Sequence, residues 1–232
     1  MKIKNAIILG AGFGKRMRPI TNKIPKPLVK INEVSLLENS IKFLTNLGFK
    51  HIVINVHYLH KEISNFIKKK NFLPKIEIVI ERKKILNTGG GILNASKKFK
   101  KKSFLVLNPD TLWGKNYKKD FKNLENEYFK SKKSTMLLVK KIKSFDRSFK
   151  GDFNINFKKI ILREKKNSYI FTGAQILNKN IFKNMRTAPF PINIVWDKLI
   201  KKEQLTGVIS KQKFFHINTY KIYKKLRKKT IY

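Results

Sequence analysis

The feature that most constrains this chain is an apolar run that breaks into a glycine-rich turn, Ile7-Ile8-Leu9-Gly10-Ala11-Gly12-Phe13-Gly14-Lys15-Arg16-Met17-Arg18. Residues 3–9 read as a short buried strand. Glycines placed directly after it let backbone N–H groups approach phosphate oxygens that a Cβ would hold off. A tight turn with no ligand is the plainer reading of the glycines alone. Two common phosphate-loop patterns fit poorly. A dinucleotide fingerprint wants a further glycine after two intervening residues, and Arg16-Met17 follow instead; a Walker loop wants Ser or Thr after Gly14-Lys15.

The rest of the first half alternates between strand and helix patterns. Ser35-Leu36-Leu37-Glu38 has the form of a capping box. The helix it opens carries Leu37, Ile41, Phe43, Leu44 and Leu47 on one side and stops at Gly48. Residues 51–56 read as a strand, 62–69 as a helix, 76–80 as a strand and 91–99 as a helix opened by glycines. A buried strand over 104–108 then ends at Asp110. This alternation predicts a three-layer α/β/α fold around a mostly parallel sheet, with ligands at the carboxyl ends of the strands. Segments 10–18, 87–91 and 108–110 all fall where a strand has just ended. In the second half, 134–139 and 171–177 read as strands, 152–162 as a hairpin, and 194–201 and 220–229 as helices. No repeat or linker divides the chain, so residues 1–232 are expected to form one domain.

A hydrophobic share of 41% is enough for a real core, and the lack of cysteine excludes disulfides, thiolate metal sites and cysteine nucleophiles. The first apolar run is too short for a secretory leader, and no stretch approaches the ~20 apolar residues of a membrane span. A cytoplasmic protein without a membrane partner is expected. The net charge of +40 raises nucleic-acid binding as a function class. Yet the lysines are scattered from Lys2 to Lys229, with small clusters at 68–70, 97–102 and 221–229, rather than gathered into an aromatic-lined groove. Compositional bias is the expected reading, with no specific nucleic-acid partner. The charge still draws anionic substrates toward the surface.

Beyond the glycine turn, Pro25 and Pro27 restrict their own φ angles and those of the residues before them, so Lys26 is expected on a stiff, extended segment. A rigid lysine and an arginine after a phosphate loop suit phosphoryl or nucleotidyl transfer, where charge builds on phosphate oxygens. Taken whole, 9–28 resembles the N-terminal motif of the sugar nucleotidyltransferase family. That motif is Leu-Ala-Ala-Gly-x-Gly-x-Arg-(Leu/Met)-x-Pro-(Leu/Ile)-Thr followed by Pro-Lys-Pro-(Leu/Met), and Gly10 replaces its first alanine.

The resemblance implies a Rossmann-like nucleotide-diphospho-sugar transferase fold and an enzyme that joins a nucleoside triphosphate (UTP or GTP) to a sugar 1-phosphate with Mg²⁺. It implies Arg16 and Lys26 as catalytic residues, with Gly10, Ala11, Gly12 and Gly14 wrapping the nucleotide. Asn87-Thr88-Gly89-Gly90-Gly91 is similar to the family segment lying against the nucleobase, which implies roles for Thr88, Gly89 and Gly90. Asp110, alone as easily a turn or cap residue, becomes the leading metal ligand. Glu164, Lys165 and Gly173 are implied at the sugar phosphate, although Arg163-Glu164-Lys165 also reads as a solvated charge run. The look is that of the N-acetylmuramate-1-phosphate uridylyltransferase branch and of mannose- or heptose-type guanylyltransferases.

One motif departs from the family. Where Trp-x-Asp-(Ile/Val)-Gly-Thr carries a second metal ligand, this chain has Phe214-Phe215-His216-Ile217-Asn218-Thr219. Either His216 binds metal or phosphate by another geometry, or Asp110 and substrate oxygens hold Mg²⁺ largely alone, or catalysis is impaired. The last option leaves a nucleotide-binding or regulatory protein as the rival reading. A working enzyme is favoured.

Overall fold

The computed structural model describes residues 1–227. The opening apolar run is strand β1 (Asn5–Leu9), and its side chains alternate between two cores. Ala6 and Ile8 face one core while Ile7 faces the other, as in a strand covered on both sides. A small pair, β2 (Lys30–Ile31) and β3 (Val34–Ser35), leads into α1 (Leu36–Asn46). Then come β4 (His51–Val56), α2 (His60–Lys69), β5 (Lys75–Ile80), α3 (Asn87–Ser96), β6 (Ser103–Leu107) and α4 (Lys118–Ser131). The second half holds β7 (Ser134–Lys140), β8 (Asn154–Ile155), β9 (Ile161–Leu162), β10 (Tyr169–Asn178), α5 (Asn193–Lys201), β11 (Leu205–Ser210) and α6 (Tyr220–Leu226).

Seven strands form one sheet in the order β11-β7-β10-β6-β1-β4-β5. Parallel pairing joins β11 to β7, β6 to β1, β1 to β4 and β4 to β5; only β10 runs antiparallel, to both of its neighbours. The sheet is thus mostly parallel, as the alternating pattern predicts. One face is covered by Leu37 and Leu44 of α1, Ile63 of α2, and Phe121 and Leu124 of α4. Ile92 of α3 and Val195 and Trp196 of α5 cover the other. From β1 the chain steps outward to β4 and β5, then returns to lay β6 on the opposite side of β1. The carboxyl ends of β1 and β6 therefore bound a topological switch point, where open α/β sheets bind ligands.

Several expectations need correction. The helix expected from Gly91 begins at Asn87, so the glycines lie inside α3 rather than before it. Lys26 is not extended: Lys26–Leu28 forms a 3-10 turn, in which Pro27 needs no N–H. The glycine turn, expected from sequence to stand between a strand and a helix, leads instead into a 3-10 turn, Lys15–Met17, so no α-helix dipole adds to its loop amides. The capping box is half made. Ser35 Oγ accepts from the Glu38 N–H at 3.1 Å, while the Glu38 carboxylate goes to Lys42 and Lys70. Strand β11 and helix α4 carry no expectation from sequence. The helix expected over 220–229 is seen as α6, and Lys228 and Lys229 lie outside the described residues. No helix among the described residues is long and apolar enough to cross a membrane.

Candidate active site

A cleft of about 370 Å³ opens at the switch point. Gly10, Ala11, Gly12 and Gly14 line it from the end of β1, Lys15 and Arg16 from the 3-10 turn Lys15–Met17, and Lys26 from the 3-10 turn Lys26–Leu28. Thr88 at the start of α3 and Asn108-Pro109-Asp110 beyond β6 complete the walls named by the sequence motifs. Gly14 is the hinge of this loop. It sits at φ +65°, where a Cβ would lie 2.9 Å from Thr21 Cγ2, and Thr21 Oγ1 donates to its carbonyl at 2.9 Å.

Lys26 and Asp110 meet inside the cleft, Nζ to Oδ2 at 2.5 Å, with each side chain 17% exposed. The other carboxylate oxygen, Asp110 Oδ1, is buried and accepts no hydrogen bond. Burial pushes the Asp110 carboxyl up, but the charges of His216 and Lys26 outweigh it and hold the group down to about 2. Burial likewise drives His216 toward its neutral form, so at neutral pH Lys26 is the charge that matters. The imidazole has a defined tautomer. Thr111 Oγ1 donates to the Thr172 carbonyl at 2.7 Å, so its remaining contact with His216 Nδ1, at 3.1 Å, must be accepted from an Nδ1–H. That nitrogen has no lone pair for a metal. The ring is stacked on Phe214 at an interplanar angle of 17° and does not line the cleft.

Asn218, two residues on, does reach the cleft. Its Nδ2 donates to Asp146 Oδ2 at 2.8 Å, and its Oδ1 is buried without a partner. Asn55 and Asn108 line the cleft as well. Asn108 belongs to the 108–110 segment named from sequence; Asn55 was not singled out, although an asparagine closing an apolar run, as in Val53-Ile54-Asn55, marks a polar strand end.

Other expected residues stand elsewhere. Gly89 and Gly90 do not line the cleft. Both N–H groups donate to the Phe190 carbonyl, and added Cβ atoms would strike Phe190 and Ala188. Glu164 lines a second pocket of about 450 Å³, with Asp152, Arg163, Phe171, Asn193 and Trp196, and Lys165 is exposed and lines neither. Gly173 supports the first cleft from behind. It lies at φ +93° in β10, accepts the Asn108 N–H at 2.8 Å, and a Cβ would sit 2.7 Å from Asn108 Cβ. Gly173→Ala is expected to cost roughly 1–3 kcal/mol of stability through strain and contact. Urea denaturation checks this, and an unchanged midpoint would refute it.

A family model described as nucleotidyl transferase matches residues 5–144, more than half of the chain. The chain belongs to the nucleotidyl transferase family. This is the family that the glycine motif resembles. A D-glycero-alpha-D-manno-heptose 1-phosphate guanylyltransferase of Campylobacter jejuni is 32% identical over 183 residues, covering 76% of this chain and 77% of the relative. An N-acetylmuramate alpha-1-phosphate uridylyltransferase of Caulobacter vibrioides is 35% identical over 113 residues, covering 47% of each chain. Among solved structures, HddC from Yersinia pseudotuberculosis superposes with a TM-score of 0.78 at 24% identity, over 97% of this chain and 98% of that one. The nucleotidyl transferase is therefore built on the same three-layer fold.

Proposed function

We propose that this nucleotidyl transferase condenses a nucleoside triphosphate with a sugar 1-phosphate to give a nucleotide sugar and pyrophosphate. The observation that carries the reading is the convergence of Lys15, Arg16, Lys26 and Asp110 on one cleft at the switch point. Loop amides around Gly10–Gly14 suit the triphosphate, and the second pocket, floored by Phe171 and Trp196 with rings 5.0 Å apart, suits a sugar beside polar groups. Glu164 takes part from there; Lys165 and Gly173 act at its edge and behind the Asp110 turn.

An oxygen of the sugar 1-phosphate attacks the α-phosphorus in line. The new P–O bond forms as the bridging bond to the β-phosphate breaks, and pyrophosphate leaves. The attacking phosphate is already ionised near neutral pH, so no side chain has to take a proton. Lys26 steadies charge on the phosphoryl oxygens, and Arg16, exposed at the mouth, binds the departing pyrophosphate.

Among the described residues no three His, Cys, Asp or Glu side chains gather to hold a metal ion. One buried carboxylate oxygen without a partner is nevertheless what Mg²⁺ needs when phosphates and water supply its other ligands. Asp110 would hold it through Oδ1, and the ion, when bound, neutralises charge on the phosphates. His216 is left as a residue that orients Thr111 and stands beside the carboxylate, its Nδ1 3.6 Å from Asp110 Oδ1. A cytoplasmic site of action suits such an enzyme.

The guanylyltransferase likeness spans about three quarters of both chains, and the uridylyltransferase likeness less than half, so GTP with a heptose or mannose 1-phosphate is the first pair to test. Pyrophosphate release is measured with each of the four triphosphates against heptose, mannose and N-acetylmuramate 1-phosphates. Release with at least one pair is expected. Tight nucleotide binding without release for any pair would favour a regulatory protein instead. Arg16→Ala is expected to lower kcat/KM by about tenfold to a hundredfold, since it removes one exposed charge contact. Unchanged kinetics would remove Arg16 from the mechanism.

A further inference from the structure

Glu81, directly after β5, is 3% exposed, yet it does not line the cleft. Each of its carboxyl oxygens accepts one hydrogen bond. Oε1 accepts from Asn55 Nδ2 at 2.7 Å, and Oε2 from the Leu86 N–H at 2.7 Å. Asn55 in turn offers its Oδ1 at 3.2 Å to the Gly10 N–H, which also donates to the Asn55 backbone carbonyl at 3.0 Å; the amide cannot flip without losing the side-chain share of that bond. The chain of contacts therefore runs from the phosphate loop, through the ends of β4 and β5, to the segment that opens α3. It ties two opposing walls of the cleft: Gly10–Gly12 on one side, Ile85, Asn87 and Thr88 on the other.

From this geometry we infer that Glu81 is a positioning residue for nucleotide binding, holding the phosphate loop and the start of α3 at a fixed separation through Asn55 and Leu86. The inference rests on the nucleotide reading of the cleft. A carboxylate is required because both neighbours present donors. Glutamine at 81 could accept from one of them, and its NH₂ would then face the other. Gly91 of α3 belongs to the same device. A Cβ there would lie 2.6 Å from Asn55 Nδ2 and 2.9 Å from Glu81 Oε1, so only glycine lets the helix pass this close to the pair. A reciprocal exchange tests the logic. With Asn55→Asp and Glu81→Gln together, Gln Oε1 accepts from Leu86, Gln Nε2 donates to Asp, and Asp accepts from Gly10. Every bond returns and the total charge is unchanged.

Isothermal titration of GTP and of UTP, each with Mg²⁺, is run on the wild-type chain, Glu81→Gln, Gly91→Ala and the exchange variant, beside melting temperatures and steady-state kinetics. Glu81→Gln is expected to weaken nucleotide binding about tenfold, the effect of losing one hydrogen bond to a charged group. The nucleotide KM rises by the same factor, and the sugar-phosphate KM is unchanged. Gly91→Ala shows the same selective loss although alanine favours the helix, and it carries the test should Glu81→Gln not fold. The exchange variant regains most of the lost affinity. Wild-type affinity in Glu81→Gln, or an exchange that regains melting temperature but not affinity, overturns the inference alone. A wild-type chain that binds neither nucleotide and releases no pyrophosphate with any of the four triphosphates overturns the cleft reading and this inference with it.

Discussion

Lys26→Ala should lower kcat/KM for pyrophosphate release by about 10²- to 10³-fold, the usual effect of removing one preorganised charge from a transition state that gathers negative oxygens. The same change strips Asp110 of its ion-pair partner, and a carboxylate left buried and unpaired costs roughly 3–5 kcal/mol. Both side chains keep 17% exposure, so the lower end of that range applies. The two effects are separable. Lys26→Met with Asp110→Asn removes both charges while keeping their volumes, so the melting temperature should return toward the wild-type value with activity still lost. Recovery of activity along with stability would show that Lys26 holds the fold and has no part in the reaction.

Asp110→Asn should produce the second large loss, on the order of 10³-fold in kcat. Its signature is the metal dependence. In the wild-type chain, activity should rise with Mg²⁺ and vanish on chelation, while residual activity of Asp110→Asn should be flat across the same titration. A variant that kept the wild-type Mg²⁺ response would place the ion on other residues and leave the buried Oδ1 unexplained.

The parts of the site that were legible in sequence are those where chemistry is local. The run Leu9–Arg18 announces itself because glycine and arginine follow an apolar strand directly, and Asp110 because it ends another. Asn55 and Glu81 were not legible: each alone is an ordinary polar residue, and their contact spans 26 positions with no shared motif. Helix α4 escaped for a different reason. Its core contacts, Phe121, Leu124 and Tyr128, are spaced by three and four, but lysine, glutamate and asparagine fill the rest of the helix and mask the stripe. Strand β11 is six residues long with a glycine inside it, which weakens the strand pattern. Glu164 and Lys165 were placed by motif likeness; Glu164 lines the second pocket and not the first, and Lys165, in the exposed segment after the short β8–β9 hairpin, lines neither.

The two pockets come from separate stretches of chain. Apart from Asn218, everything that lines the first lies between Leu9 and Asp110, and everything that lines the second lies between Gly151 and Trp196. The family match over 5–144 covers the former and stops short of the latter. If the second pocket takes the sugar as proposed, a graft of 151–196 that keeps Thr172 and Gly173, whose carbonyls hold Thr111 and Asn108, should change the choice of acceptor while leaving the first cleft in place.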